Sequence, residues 1–109
     1  MPNPRYRKGV DLERRVIRDL TQHGYDCIRA AGSHGAFDVL ACKTGQALVI
    51  NVKWDRARVT PAERQTLTML AQRHGWTPVI ADHTGYYHLQ TTGREWIYNH
   101  IYPTATLHT

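Results

Sequence analysis

The chain has 109 residues, and its 14 Lys and Arg outnumber its 9 Asp and Glu, which gives a formal net charge of +5 at pH 7. This length fits one domain of the usual ~100–150 residues and excludes a two-domain enzyme with a separate dinucleotide-binding domain. No apolar run approaches the ~20 residues that a membrane span needs. The positive surplus indicates a polyanionic partner, either nucleic acid or an acidic membrane surface.

The first third of the sequence predicts an arm, a helix and a strand. Residues 1–9 contain two prolines and three cationic residues, so we predict a flexible basic N-terminal arm there and a folded domain over residues 10–109. From Val10, apolar residues recur at about one helical turn, and Gly24 ends the predicted helix. Residues 25–31 are predicted to form the first strand.

Two apolar runs follow, over residues 37–42 and 47–54, with Thr44-Gly45 between them. This pattern is typical of a β-hairpin, because glycine tolerates the positive φ that tight hairpin turns require. The two runs therefore predict a second and a third strand, paired with each other.

A second helix is predicted to begin after Thr60, which is placed to cap it. Pro61 suits the first helical position, Glu63 completes a capping box, and Gly75 ends the helix. Residues 77–81 and 86–90 are predicted to pair as strands, and residues 94–102 to form a short helix. The resulting order, α-β-β-β-α-β-β, predicts an α/β domain with one central mixed β-sheet flanked by helices.

Two cysteines, Cys27 and Cys42, are too few for a disulfide framework. The N-terminus also lacks the apolar core of a signal peptide. We therefore expect two reduced thiols in a reducing cytoplasm.

Glu13 lies on the apolar stripe of the first predicted helix, one and two turns from Val16, Ile17 and Leu20. Burying an unpaired carboxylate is costly, so this position needs an explanation. Two interpretations remain: a buried salt bridge to an arginine or lysine, or a carboxylate directed at a polar site on the sheet.

The hairpin brings further polar residues together. If Thr44-Gly45 forms the turn, paired residues have numbers that sum to 89, which places Asp38 opposite Asn51, with Lys53 on the same face. The opposite face carries Leu48, Ile50, Val52 and Trp54. We predict that the helix of Glu13 covers the polar face, so that these four polar residues converge.

Such a group suits phosphodiester hydrolysis. Carboxylate oxygens hold Mg²⁺, which stabilises the charge of the transition state. A nearby lysine positions or deprotonates the attacking water, or neutralises the transition state. The pattern is typical of a metal-dependent nuclease, although this spacing also arises by chance.

A wider series of short blocks adds specificity, and it resembles the archaeal-type Holliday junction resolvases, a branch of the PD-(D/E)xK nuclease superfamily. Residues 7–54 match well, and residues 60–81 match loosely. The blocks are Arg7-Lys8-Gly9, Glu13-Arg14, Gly24-Tyr25, Arg29-Ala30-Ala31-Gly32-Ser33, Asp38-Val39-Leu40-Ala41 and Val49-Ile50-Asn51-Val52-Lys53.

The resemblance implies a restriction-endonuclease-like domain and a Mg²⁺-dependent endonuclease, with Mn²⁺ as a substitute, that cuts four-way DNA junctions as a homodimer in the cytoplasm of a prokaryote or of a virus-infected host cell. The catalytic residues that it implies are Glu13, Ser33, Asp38, Asn51 and Lys53. The metal ligands are expected to be Glu13, Asp38, Asn51 and Val52. Arg14 and Arg29 are expected near DNA phosphates.

Position 51 departs from the family pattern, which has an acid there, usually Glu. An amide oxygen still ligates a metal but carries no charge, so Mg²⁺ binding should weaken. Three explanations stay open: an Asp→Asn change introduced to silence cleavage, a natural variant with residual activity, or a non-catalytic branched-DNA-binding module that keeps the nuclease fold.

Further cations flank the proposed cleft at both ends of the matched region, and either phosphate contact or a solvated basic surface explains them. They are Arg5, Arg7, Lys8, Arg56 and Arg58. Aromatic residues near the C-terminus, such as Trp96 and Tyr102, are expected in the core or a dimer interface rather than stacked on bases.

Overall fold

The computed structural model of the protein describes residues 4–30, 37–89 and 95–97, and for residues 4–7 and 95–97 it describes the backbone alone. Two helices, α1 (Pro4–Gln22) and α2 (Pro61–His74), pack against one six-stranded sheet. The strands are β1 (Asp26–Arg29), β2 (Val39–Lys43), β3 (Gln46–Val52), β4 (Thr77–Asp82), β5 (Gly85–Leu89) and β6 (Glu95–Ile97).

The strands lie side by side in chain order, from β1 to β6. Neighbouring strands are antiparallel except β3 and β4, which are parallel. A parallel pair needs a crossover, and a short 3-10 helix (Arg56–Arg58) followed by α2 provides it. The predicted α/β class, with a central mixed sheet flanked by helices, is confirmed.

The predicted hairpin register is also confirmed. Lys43 pairs with Gln46 and Val39 pairs with Ile50, so paired residue numbers sum to 89. Gly45 adopts a φ of 76°, which the tight turn requires and which a side chain would strain. The register holds as far as the Val39–Ile50 pair, where the ladder ends.

Each face of the sheet has its own apolar cluster. On one face, α1 buries Leu12, Val16 and Leu20 against residues such as Leu48 and Ile50. On the other, α2 buries an apolar stripe against the intervening strand positions. That second cluster comprises Leu67, Ala71, Val49, Val59, Ile80 and Leu89. Alternating residues of β3 therefore face different helices, as the pleat of a strand requires.

Helix α2 begins and ends as the sequence predicts. The Thr60 hydroxyl accepts a hydrogen bond from the Glu63 N–H at 3.1 Å, and Glu63 Oε1 accepts one from the Thr60 N–H at 2.9 Å. Gly75 ends the helix in the left-handed conformation, with φ 71°.

Two sequence predictions, the start of the first helix and a helix near the C-terminus, are wrong. Helix α1 begins at Pro4 rather than Val10, so residues 4–9 are helical and are not an arm. Proline is well tolerated in the first helical turn, and Arg and Lys are good helix formers, which explains the longer helix. The predicted C-terminal helix is replaced, within the described residues, by β6, which pairs with β5. Neither α1 nor α2 has the length of apolar sequence that a bilayer-spanning helix requires.

Candidate active site

The site is built around Asp38, which precedes β2 at the end of its ladder with β3. The Asp38 N–H donates to the Ile50 carbonyl at 2.8 Å. Its Oδ2 accepts a hydrogen bond from the Val52 N–H at 2.7 Å, so the side chain takes the place of a ladder partner for β3. A carboxylate held by the sheet backbone in this way has a fixed position between the two faces.

Asn51, the neighbour of Ile50 on β3, points to the α2 face because successive strand residues alternate. The side chain is only 4% exposed. Its Oδ1 atom is buried and has no hydrogen-bond partner among the residues that the structure describes. Burying an unsatisfied polar atom costs about 1–3 kcal/mol, so this oxygen indicates a site rather than a structural role.

Lys53 follows the end of β3, where its N–H donates to the Ala81 carbonyl of β4 at 3.0 Å. Its ammonium Nζ lies 3.3 Å from Oε2 of Glu63, in the first turn of α2. The two side chains are 36% and 35% exposed, so the pair borders on solvent. Burial opposes ionisation of Glu63, but the hydrogen bonds from Thr60 and Lys53 outweigh it and lower the pKa of this carboxyl.

The electrostatics of Asp38 reflect all three surrounding elements. Burial raises the pKa of its carboxyl above the ordinary value, and the charges of Glu13 and Glu63 raise it further. The Val52 N–H and the Lys53 ammonium act in the opposite direction but do not cancel the shift. A cation bound nearby would therefore stabilise the ionised form of this half-buried carboxylate.

Glu13 does not join the polar group directly. It forms an ion pair with Arg29, which lies beside Val39 on the α1 face of the sheet. The predicted salt bridge to an arginine is therefore present, but it is not a buried one, because the Arg29 side chain is 56% exposed. Its charge still acts on Asp38 from the α1 side.

The prediction that the helix of Glu13 covers the face of Asn51 is wrong, because α2 covers that face. The buried apolar residues of α1 pack on the apolar positions of β3 that alternate with Asn51. The residues that the structure brings together are Asp38, Asn51 and Lys53, and Glu63 from α2 joins them. The expected Asp38–Asn51 strand pair is not formed either, because the ladder ends at Val39–Ile50.

An open pocket of about 380 Å³ adjoins Lys53 at the end of β3. Two further cations, Lys8 and Arg58, line it, together with Trp54 and one acid, Asp55. The Trp54 ring is 41% exposed, stacks on His83 with ring centroids 4.8 Å apart, and has Lys8 Nζ 5.1 Å from its centroid. The lining suits a phosphate-bearing ligand with a flat ring.

The other predicted phosphate contacts are less uniform. Arg14 is exposed, whereas Arg56 is half-buried, with its guanidinium carbon 3.7 Å from the centroid of the Tyr87 ring. Arg5 and Arg7 lie on the first turns of α1, where only the backbone is described. The predicted catalytic residue Ser33 lies outside the described residues.

The donor atoms fit a divalent cation that prefers oxygen. Asp38 offers a carboxylate, Asn51 offers a buried amide oxygen without a partner, and Val52 adds a backbone carbonyl. Among the described residues, no three His, Cys, Asp or Glu side chains come close enough to bind an ion on their own. A site here therefore has to use the amide or backbone oxygens as well.

Sequence reasoning assigned Glu63 only to the capping box and missed its contact with Lys53. The helical pattern places Glu63 in the first turn of α2, but it does not say which strand that turn meets. Two observations in the sequence favoured the contact, namely the short connection from Lys53 to Thr60 and an acid just after it. Neither distinguishes this contact from simple capping.

Comparisons with known proteins identify the family to which this chain belongs. The sequence model of the archaeal Holliday junction resolvase (Hjc) family matches residues 4–96. The crossover junction endodeoxyribonuclease Hjc of Methanocaldococcus jannaschii is 41% identical over 49 residues, which are 45% of this chain and only 36% of that relative. The chain therefore aligns with well under two thirds of the relative's length.

The solved structure of Hjc from Archaeoglobus fulgidus, titled a Holliday junction resolvase from an archaeal hyperthermophile, has a TM-score of 0.63 to this protein. Its sequence is 24% identical, and the alignment covers 88% of each chain, so this likeness shows a shared α/β fold. The family match extends over most of the chain, including both helices and the residues around Asp38. This chain belongs to the archaeal Holliday junction resolvase family.

Proposed function

We propose that this protein is a structure-selective DNA endonuclease that resolves four-way junctions by metal-dependent phosphodiester hydrolysis, and that Asn51 weakens its activity. One observation carries the proposal. The carboxylate of Asp38, the unpartnered buried oxygen of Asn51 and the ammonium of Lys53 meet at one end of the sheet, beside a cationic pocket. These are the parts that hydrolysis of a phosphodiester requires.

Each residue has a distinct role in this proposal. Asp38, Asn51 and the Val52 carbonyl would hold Mg²⁺ or its substitute Mn²⁺, which supplies charge stabilisation at the phosphate when bound. The Lys53 ammonium neutralises charge on the phosphate or orients the attacking water. Glu13 acts through its charge from the α1 side while it is bound to Arg29, and Ser33 stays a predicted catalytic residue.

The cations around the site suit a DNA backbone rather than a base sequence. Lys8 and Arg58 line the pocket next to Lys53, Arg29 pairs with Val39 beside Asp38, and Arg14 is exposed on α1. Contacts of this kind position a duplex arm and carry no sequence information, so branch shape would decide the substrate. A homodimer would present two such sites to two strands of one junction.

We also place the protein in the cytoplasm. Cys27 and Cys42 are both free thiols and half-buried. Unpaired thiols of this kind persist in a reducing compartment.

The test compares the protein with Asn51→Asp and Asn51→Glu variants. Each is incubated with a labelled four-way junction, and separately with a linear duplex of the same sequence, in Mg²⁺ or Mn²⁺. We expect weak cleavage of the junction by the unaltered protein and faster cleavage by at least one acidic variant, because an added carboxylate tightens metal binding. Linear duplex should stay uncut.

Two outcomes would overturn parts of the proposal. If all three proteins bind the junction in preference to linear duplex but none cuts it, the protein is a branched-DNA-binding module without catalysis. If none prefers the junction, the substrate assignment fails as well. Junction binding measured in EDTA separates recognition from cleavage.

A further inference from the structure

Glu63 holds a position at the candidate site that helix capping alone does not explain. Only its Oε1 oxygen takes part in the capping box, through the Thr60 N–H. Its Oε2 oxygen points to the sheet and lies 3.3 Å from Lys53 Nζ. Capping alone does not require this second contact. The Glu63 carboxylate therefore also lies at the edge of the site.

A second observation independently indicates a ligand at the same place. Asn51 Oδ1 is buried on the α2 face, the face that α2 and Glu63 cover, and it has no partner within the described residues. The Asp38 carboxylate lies at the end of the adjacent strand, near enough for the charge of Glu63 to act on it. The geometry links all three residues to the end of β3, because Asp38 accepts the Val52 N–H, Asn51 precedes Val52, and Glu63 contacts Lys53.

The charge balance of this region is incomplete for a divalent cation if Asp38 is its only carboxylate. Cation sites in proteins gain affinity with the number of charged ligands, and one carboxylate with two neutral oxygens makes a weak site. Lys53 adds positive charge nearby, which weakens it further. Glu63 is the described carboxylate that reaches this region from α2.

We propose that Glu63 supplies the second carboxylate of the divalent-cation site, together with Asp38 and the Asn51 amide oxygen, by exchanging its ion pair with Lys53 for the cation. The acid that position 51 lacks on β3 is thus provided by α2. In this arrangement the Lys53 ammonium is no longer bound to Glu63 and faces the phosphate instead. The proposal rests on the proposed metal-dependent function and specifies which residues bind the metal.

The experiment measures Mn²⁺ binding to the DNA-free protein by titration calorimetry and by electron paramagnetic resonance of free Mn²⁺. Glu63→Gln is the decisive variant, because glutamine keeps the capping box while the charge is lost. We expect it to weaken Mn²⁺ binding about tenfold or more. Equal binding by Glu63→Gln and the unaltered protein would overturn the proposal.

Two matched controls separate charge, capping and position. Asp26→Asn removes one negative charge from an exposed side chain at the other end of the β1–β2 ladder, and should leave Mn²⁺ affinity within about twofold. Thr60→Ala removes the capping hydroxyl and keeps the Glu63 charge, so it should lower the melting temperature with little effect on Mn²⁺ affinity. If Thr60→Ala weakens binding as much as Glu63→Gln, Glu63 acts through helix structure and the proposal fails.

A rescue variant makes the test sharper. Asn51→Asp combined with Glu63→Gln restores the number of carboxylates, so we expect Mn²⁺ affinity to return to within a few-fold of the unaltered protein. No recovery in this double variant would contradict the idea that the two positions replace each other.

Junction cleavage by the unaltered protein and by Glu63→Gln is assayed in parallel. If it cuts and Glu63→Gln cuts equally well, only the role of Glu63 fails; if it neither cuts nor selects junctions, the proposed function fails regardless of Glu63.

Discussion

The two faces of the sheet are covered by one helix each, but they differ at the end where β3 finishes. On the α1 face, Leu12, Val16 and Leu20 close an apolar cluster, and Glu13 forms an ion pair with Arg29. On the α2 face, a polar residue is buried at this end next to the apolar cluster. Asn51 Oδ1 has no hydrogen-bond partner there among the residues that the structure describes.

We propose that the α1 face serves stability alone, whereas the α2 face leaves one buried oxygen available to a ligand. Buried polar groups in folded proteins almost always find partners, and an exception is most often found where a ligand supplies the missing contact. On the α1 face, the charge of Glu13 is paired with Arg29. On the α2 face, Asn51 Oδ1 is the exception among the described residues, and it lies near Asp38, whose carboxyl has a pKa raised by burial.

The largest expected effect comes from Asp38→Asn, which tests whether the polar end of the sheet is catalytic. Asparagine still accepts the Val52 N–H, so the strand end should keep its shape. We expect junction cleavage in Mg²⁺ to fall by about 10³-fold, because ~4 kcal/mol of transition-state stabilisation corresponds to that factor. Cleavage is measured under single-turnover conditions, with junction binding in EDTA as the control.

The same variant has an opposite effect on stability in the metal-free protein. The pKa of Asp38 is raised in the folded state, so folding favours its protonated form. Its contribution to the free energy of unfolding is therefore full below the ordinary pKa and is lost as the pH rises through the raised folded value. Asp38→Asn should thus be at least as stable as the unaltered protein at pH 7. A marked loss of stability would show that the carboxylate is structural.

The second prediction compares the two apolar clusters directly. Leu20 on the α1 face and Leu67 on the α2 face are both fully buried, so Leu20→Ala and Leu67→Ala should each lower the free energy of unfolding by about 2–5 kcal/mol in urea titrations. Only Leu67→Ala should also weaken Mn²⁺ binding at a temperature where both variants are folded, because α2 carries Glu63. Equal changes in Mn²⁺ affinity would show that the faces are not independent.

Much of the frame around this site is predictable from the sequence, because it is set by local signals. Thr44-Gly45 fixes the hairpin register, and Thr60 with Glu63 fixes the start of α2. These signals act over a few residues and depend little on the rest of the fold. They suffice to bring Asp38, Asn51 and Lys53 to one end of the sheet.

The assignment of helices to faces is not local, and there the sequence prediction was wrong. Glu13 lies on the inner stripe of α1 in either arrangement, so periodicity cannot tell which face of β3 it meets. The crossover connection decides that question. Helix α2 connects the parallel strands β3 and β4 in the chain, and it packs on the face of the sheet that Asn51 points to. For the same reason the second contact of Glu63 was missed.

The third prediction concerns a variant that lacks the buried Oδ1 atom of Asn51. Asn51→Leu replaces the amide, whose Oδ1 has no partner among the described residues, by an apolar side chain of similar volume. It should raise the free energy of unfolding of the metal-free protein by about 1–2 kcal/mol, as measured by urea titration. Mn²⁺ affinity should fall in the same variant. Asn51→Asp is the control with the opposite sign, since it adds a charge beside Asp38 and should lower stability unless Mn²⁺ is present. If Asn51→Leu is destabilising, the amide oxygen is satisfied in solution and the comparison between the faces loses its basis.

The smallest effect on stability and cleavage is expected from Glu13→Gln, on the α1 face. The Arg29 side chain of the pair is 56% exposed, and an ion pair at a rim contributes about 0–1 kcal/mol. A double-mutant cycle with Arg29→Gln, read by urea titration, should give a coupling energy in that range. Cleavage should fall by about tenfold or less, because Glu13 affects Asp38 only through its charge. A loss near 10³-fold, equal to that of Asp38→Asn, would mean that Glu13 leaves Arg29 and ligates the metal, and the α1 face would then belong to the active site as well.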